Sequence, residues 1–354
     1  MKKPLHLSKV LLNVALVLVC LVAYRYLSLS AAPVPAPDTV MLNGAGATFP
    51  YPIYSKWFSD YNKLHPDIQI NYQSIGSGGG IRQLLSGTVD FGASDAPMND
   101  EQLGQAKTKI LHFPTVLGAV VPTYNISGVS QELNFTGELL ADIYLGKVTK
   151  WNDAAIARLN KGVDLPAQDL VVVHRSDGSG TSYVWTDYLS KVSKEWESKV
   201  GRNTSVNWPV GLGGKGNEGV TGLVKETPGA IGYVELIYAV QNQIPYGRVQ
   251  NAGGVFVKAD LAGVTAAASG YAKTMPEDFR VSITNAPGKA AYPICSFTYL
   301  LVPTRIEDAN KKQVIKDFLT WMLNEGQKDA EPLTYAELPK EVIAKELKQI
   351  SQIQ

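Results

Sequence analysis

The chain has 354 residues, of which 45% are hydrophobic and 18% are charged. This composition can fill the cores of one large or two ordinary domains, and it excludes a disordered or fibrous protein. The formal net charge is +1, and without residues 1–40 the chain keeps 29 basic residues against 31 acidic ones. We therefore expect no nucleic-acid partner, and an anion would have to be held by local geometry rather than by excess charge.

Residues 1–30 have the layout of a secretory signal peptide or of an N-terminal membrane anchor. Lysines precede an apolar stretch at 10–24, which is shorter than the roughly 20 residues that a helix needs to cross a bilayer. Cleavage near Ser30 is one interpretation, and an uncleaved anchor reaching Leu29 is the other. Residues 31–40 are proline-rich and predict a stiff spacer. Under both interpretations the rest of the chain is exported.

After the spacer, short apolar runs alternate with helical patterns, which is typical of an α/β layer structure. The predicted elements in chain order are a helix from Pro50, a strand at 68–72, a helix start at 81–85, a strand at 89–92, a strand at 170–173, a helix through Val184, strands at 230–234 and 297–302, an amphipathic helix around Phe318 and a last helix after Pro339.

Three predicted junctions between a loop and a helix share one chemical make-up. At 48–49, 77–79 and 179–181 a small hydroxyl side chain stands beside glycine or just before proline. Each junction offers free backbone N–H groups at the positive end of a helix. One such junction is usually only a capped helix. Three that converge could hold an oxyanion, since each helix end contributes on the order of 0.3 to 1 kcal/mol.

Two charged residues add to this pattern. The Arg175 guanidinium is a fixed fork of donors that suits a tetrahedral oxyanion, although a surface ion pair would explain an arginine equally well. Asp177 could brace that guanidinium, or it could cap a helix.

Asp95 is a carboxylate where an anion is expected, which is unfavourable unless the anion brings a proton to donate. Phosphate carries such a proton near neutral pH, and sulfate does not. An unprotonated oxygen facing Asp95 would lose its partner and meet a like charge. The alternative is that Asp95 caps the turn before Pro97.

Enzyme signatures are missing from the sequence. The P-loop, HExxH and GxSxG motifs do not occur, and residues 44–49 break the dinucleotide fingerprint at its last position. No cofactor and no metal are expected. Besides a protein that binds phosphate, the residues alone leave three alternatives open. These are an extracytoplasmic phosphohydrolase, a binding protein for another oxyanion such as sulfate or phosphonate, and a secreted adhesion or surface protein that has the same fold but binds no oxyanion.

The sequence resembles the periplasmic phosphate-binding proteins of bacterial phosphate ABC transporters, over nearly the whole chain after the spacer. Five segments in the family's order carry the resemblance: 44–50 (GAGATFP), 76–80 (GSGGG), 89–97 (VDFGASDAP), 175–182 (RSDGSGTS) and 211–217 (GLGGKGN).

The resemblance implies an α/β, two-lobe periplasmic binding protein fold of type II, with crossing strands between the lobes and the ligand in the interlobe cleft. One lobe comprises 41–118 plus 291–354, and the other comprises 119–290. The implied phosphate ligands are Thr48, Phe49, Ser77, Asp95, Arg175, Ser179, Gly180 and Thr181. In that set Phe49 acts through its N–H, the hydroxyls donate, Asp95 accepts, and Asp177 braces the arginine.

The function implied by the resemblance is high-affinity binding of inorganic phosphate in the periplasm, with discrimination against sulfate. The implied partners are the permease and ATPase subunits of a phosphate ABC importer. The expected protein is a monomer and not an enzyme, and it stays tethered to the inner membrane if its leader is not cleaved.

Overall fold

The computed structural model describes residues 39–129, 131–272 and 274–354. The predicted signal or anchor segment and most of the predicted spacer lie outside these residues. The described strands are β1 Val40–Gly46, β2 Ile68–Ser74, β3 Phe91–Ser94, β4 Ile110–Tyr124, β5 Asn134–Phe135, β6 Val171–Arg175, β7 Leu212–Gly214, β8 Ala230–Glu235, β9 Arg248–Gln250, β10 Phe256–Val257 and β11 Cys295–Pro303.

Helices surround these strands along the chain. They are α1 Tyr51–Leu64, α2 Ser77–Ser86, α3 Asp100–Gly104, α4 Gly137–Tyr144, α5 Ala154–Ala157, α6 Gly180–Val192, α7 Lys194–Lys199, α8 Gly216–Glu226, α9 Leu236–Gln241, α10 Leu261–Ala272, α11 Ala309–Asn324 and α12 Lys340–Gln349. Short 3₁₀ turns lie at Gly326–Asp329, Glu331–Leu333 and Ile350–Gln352. None of the helices within the described ranges is both long and apolar enough to cross a membrane.

One eight-stranded sheet runs through the structure in the order β2-β1-β3-β11-β4-β8-β6-β7, and β10, β9 and β5 form a small second sheet. Strand β1 is parallel to β2 and β3, and β6 is parallel to β7 and β8. The sheet therefore has a parallel group at each side of the antiparallel strands β11 and β4.

The long strand β4 joins the two groups. Residues 110–119 pair with β11, and residues 120–124 pair with β8. All fifteen residues of β4 are buried, because it is covered on both faces where it crosses from one group to the other. At the crossing, a Cβ added to Gly118 would collide with the Phe49 ring and approach Glu235.

The parallel groups explain why distant segments of the chain meet. The carboxyl ends of parallel strands lie at one edge of a sheet, and ligands of open α/β folds bind outside that edge. Strands β1, β2 and β3 end just before Thr48, Ser77 and Asp95. On the other side, β6 ends at Arg175 and β7 leads into α8.

Two predicted helix starts need correction. Helix α1 begins at Tyr51 with Pro50 as its N-cap, one residue later than predicted. Helix α2 begins at Ser77 rather than at 81–85, so its glycines are helical. Their small size is required by packing, because a Cβ on Gly80 would collide with the carbonyl of Ala45. The helix propensity of glycine is low, and the close approach overrides it.

Candidate functional site

Asp95, Ser77 and Gly180 form the centre of the candidate site. The Ser77 Oγ accepts the Gly180 N–H at 3.0 Å and the Asp95 N–H at 3.3 Å. A Cβ on Gly180 would collide with Asp95 Oδ2 and Ser77 Oγ. Glycine is therefore required where α6 begins, since the backbone passes directly over the carboxylate.

Asp95 is held by a residue that sequence reasoning missed. The Thr298 hydroxyl, on β11, donates to Asp95 Oδ1 at 2.8 Å, so Oδ2 is the oxygen that faces Gly180. Asp95 is only 1% exposed, and burial raises its pKa to about 7, although the Thr298 hydrogen bond and the charge of Arg175 lower it. Asp95 can therefore accept a proton or hold one near neutral pH.

The predicted brace on the arginine is present. Arg175 Nε donates to Asp177 Oδ1 at 2.8 Å, and Nη2 donates to Oδ2 at 2.5 Å. The Arg175 side chain is 1% exposed. Burial acts to raise the pKa of Asp177, but the hydrogen bonds and charge of Arg175 and the Gly216 N–H hold that pKa below its usual range. Asp177 is thus a fixed anion, and Arg175 Nη1, which Asp177 does not engage, donates to the Thr181 hydroxyl at 3.3 Å.

Asn217 links Thr48 to Thr181. Its Nδ2 donates to Thr48 Oγ1 at 2.7 Å and to Thr181 Oγ1 at 3.1 Å. Its backbone N–H also donates to Thr48 Oγ1, at 3.1 Å. The threonine that follows β1 and the threonine on α6 therefore share one amide, and the segments that carry them meet at a buried contact.

Backbone N–H groups of the same segments are further candidate donors. Among the described residues, no acceptor pairs with the N–H of Phe49 or of Thr181. Ser179 is the N-cap of α6, and its hydroxyl accepts the Ser182 N–H. The Gly180 N–H is engaged by Ser77, so Gly180 can bind an anion only if it exchanges Ser77 Oγ for an anion oxygen.

The structure brings all nine sequence-predicted site residues to one edge of the sheet. Gly78 and Gly178 also meet there, with the Gly78 N–H donating to the Gly178 carbonyl at 2.9 Å. A Cβ on Gly76, whose φ is +86°, would collide with Asp177. Because glycine has no side chain, the two backbone segments can approach to hydrogen-bond distance. A site built from both groups of strands requires such a close approach.

Sequence reasoning missed Asn217 and Thr298 as residues of the site. Asn217 is the last residue of 211–217, one of the five segments that carry the family resemblance, so the sequence did contain a signal that could have identified Asn217. Thr298 lies on a strand whose residues are nearly all buried, and nothing in its local sequence distinguishes it. No cluster of metal-ligating side chains occurs within the described ranges.

The arrangement suits a tetrahedral oxyanion that carries one proton. Hydroxyls, backbone amides and one guanidinium supply donors, and Asp95 supplies the acceptor. A model of the PBP superfamily domain matches residues 33–325 of the chain. The fold and the family match together define a two-lobe substrate-binding protein, which confirms the fold prediction. The prediction that the protein is not an enzyme is confirmed by the family match and by relatives that are named as binding proteins.

Named relatives refine this class. The phosphate-binding protein PstS of Xylella fastidiosa (strain Temecula1) is 47% identical over 317 residues, which cover 89% of this chain and 86% of that protein. The chain belongs to the PstS family of phosphate-binding proteins, as the resemblance predicted.

Solved structures share the fold at low sequence identity. The phosphate-bound, high-affinity periplasmic phosphate-binding protein PfluDING superposes with a TM-score of 0.66 at 21% identity, over 86% of this chain and 92% of that one. An ABC-type phosphate transport receptor from Vibrio cholerae superposes with a TM-score of 0.54 at 18% identity, over 84% of this chain and 100% of that one.

Proposed function

We propose that the protein binds inorganic phosphate outside the cytoplasm and delivers it to an ABC-type importer. The observation that carries the proposal is the combination at one sheet edge of several donors with a single buried acceptor, Asp95. The names of its PstS relatives support phosphate as the ligand. The ABC-type phosphate transport receptor from Vibrio cholerae, which shares this fold, supports an ABC transporter as the destination.

In this proposal the ligand is held by Thr48, Phe49, Ser77, Asp95, Arg175, Ser179, Gly180 and Thr181, with Asp177 bracing the arginine. Phosphate donates its proton to Asp95 and receives hydrogen bonds on its other oxygens. Sulfate has no proton for Asp95, so its oxygen would lose a partner and face a negative charge. Discrimination against sulfate follows from that mismatch.

Binding is coupled to closure of two lobes, because the ligand gains its full set of hydrogen bonds only when both halves surround it. We assign 41–118 plus 291–354 to one lobe and 119–290 to the other. The change of partner along β4 between residues 119 and 120 supports this boundary. The closed monomer is the form that the permease and ATPase subunits would recognise, in the periplasm.

Tryptophan fluorescence tests ligand, selectivity and closure together. Trp185 stacks on Tyr233, with ring centroids 5.0 Å apart, and the Tyr233 hydroxyl accepts the Arg175 N–H. A tryptophan reporter is thus separated from the Arg175 backbone only by Tyr233. The purified protein should show a saturable change with phosphate and none with equimolar sulfate. Arg175→Ala should abolish the response, and a wild-type protein that stays silent to phosphate in both fluorescence and calorimetry would refute the proposal.

The attachment of the protein is a separate question. N-terminal sequencing of the exported product distinguishes cleavage near Ser30, which yields a soluble periplasmic protein, from a retained leader that tethers the protein to the inner membrane.

A further inference from the structure

Asn217 has a fixed orientation that its neighbours determine. It is fully buried, and its Oδ1 accepts the backbone N–H of Glu235 at 2.9 Å. An N–H can only donate, so the amide oxygen must point to Glu235 and the NH₂ group must point away from it. The NH₂ group therefore faces the hydroxyls of Thr48 and Thr181 with its two hydrogens.

Both hydroxyls receive as many hydrogen bonds as they can accept. Thr48 Oγ1 accepts from Nδ2 and from the backbone N of Asn217. Thr181 Oγ1 accepts from Asn217 Nδ2 and from Arg175 Nη1. A hydroxyl has two lone pairs and one proton, so each threonine has only its proton left to offer. Neither proton has an acceptor among the described residues.

We propose that Asn217 is a positioning residue that sets the direction of these two hydroxyl protons. Asn217 fills both lone pairs of Thr48 and one lone pair of Thr181, whose other lone pair accepts from Arg175 Nη1, so both threonines become obligate donors toward the ligand. The inference rests on the proposed function, because the ligand that receives these protons is taken to be phosphate. It assigns to Asn217 no contact with phosphate, and it explains why Thr48 and Thr181 do not act as acceptors beside Asp95.

A double-mutant cycle separates this role from a merely structural one. Asn217→Ala should weaken phosphate binding about 10- to 100-fold, since two donors to a charged ligand lose their orientation. In a Thr48→Val/Thr181→Val background, which lacks both hydroxyls, the same change should cost less than about threefold. An equal loss in both backgrounds would overturn the proposal. The dissociation constants come from calorimetry, with phosphate as the titrant.

Asn217→Asp is the second variant, because it keeps the shape and the acceptor for Glu235. Its other oxygen accepts the protons that asparagine directs to the ligand and adds a negative charge. Phosphate binding should fall more than with Asn217→Ala, and it should recover as the pH falls and the carboxyl is protonated, relative to wild type over the same range. A variant that binds as well as Asn217→Ala at neutral pH would contradict the inference.

Asn160→Ala is the matched control. Asn160 is also a buried asparagine that bridges backbone groups, at Asn134 and Ile156, but it lies outside the site. It should lower the melting temperature and leave the phosphate dissociation constant unchanged. If the wild type itself does not bind phosphate, the proposed function fails. If the wild type binds and the cycle shows additivity, only the positioning role fails.

Discussion

Asp95 and Asp177 belong to the same candidate site, but the pKa values of their carboxyl groups are shifted in opposite directions. Asp177 follows β6 and forms two hydrogen bonds with Arg175, which hold its pKa below the usual range. Asp95 follows β3, accepts one hydroxyl from Thr298 and is buried, so its pKa is raised to about 7. Environment rather than residue type therefore separates a fixed anion from a group that exchanges a proton near neutral pH.

The difference assigns a separate task to each acid. Asp177 neutralises and orients the guanidinium, so it acts on any oxyanion in the same way. In the proposed function, Asp95 distinguishes a protonated ligand from an unprotonated one, because its Oδ2 can only accept while the carboxyl is ionised and can donate once it is protonated. Selectivity and affinity should therefore be separable by mutation, and four predictions test this separation.

The largest expected effect is on selectivity at Asp95. Asp95→Asn replaces the acceptor by an amide that can donate to sulfate at any pH, so the preference for phosphate over sulfate should fall by about a hundredfold at pH 9, two units above the Asp95 pKa of about 7. Competition calorimetry with both anions measures the ratio. Asp90→Asn is the matched control, because Asp90 lies near the same strand but pairs with Lys311. An unchanged ratio in Asp95→Asn would eliminate the proposed role of Asp95.

The second prediction concerns pH. Sulfate can bind only when Asp95 is protonated and donates, so wild-type sulfate affinity should fall about tenfold per pH unit above the Asp95 pKa of about 7 and level off below it. Phosphate brings its own proton, so the ratio of phosphate to sulfate affinity should rise with pH. Sulfate titrations between pH 5 and 8 test this, with Asp95→Asn as a reference that should show no such slope. Sulfate binding independent of pH would contradict the assignment.

The sequence alone predicted much of the site but not its internal connections. Thr48, Ser77, Asp95 and Arg175 lie in short motifs of hydroxyls and glycines directly after strands, where local chemistry indicates anion binding. Thr298 lies on a strand whose residues are nearly all buried, so no pattern distinguishes it. Its task arises only because β11 lies beside β3 in the sheet.

The sequence did not predict strand β4, and the reason is physical. It is buried on both faces, so it shows no alternation, and it contains Pro114 and Pro122, which normally argue against a central strand. Pro114 pairs with Tyr299 next to a register shift between Thr298 and Tyr299. That irregularity accommodates a residue without an N–H. The crossing between the lobes was therefore inferred from the family resemblance and not from periodicity.

The third prediction concerns Asp177. Asp177→Asn loses one of two charge-assisted acceptors for Arg175, so phosphate affinity should fall about tenfold. Selectivity should stay within about twofold of wild type, since Asp177 does not meet the proton of the ligand. Calorimetry with phosphate and competition with sulfate provide both numbers. A loss of selectivity as large as that of Asp95→Asn would abolish the distinction between the two acids.

The smallest effect is expected at Thr298, and it tests how the Asp95 pKa is set. Thr298→Val keeps the shape but removes the hydrogen bond that stabilises the ionised carboxylate, so the Asp95 pKa should rise. One such bond is worth about 1 kcal/mol, which moves the midpoint of sulfate binding upward by about 0.7 pH units. Ser296→Ala is the control, because Ser296 lies on the same strand and donates to the backbone carbonyls of Asp95 and Phe297 rather than to the Asp95 carboxylate. Should both variants keep the wild-type midpoint, burial alone would set the Asp95 pKa, and Thr298 would only orient the carboxylate.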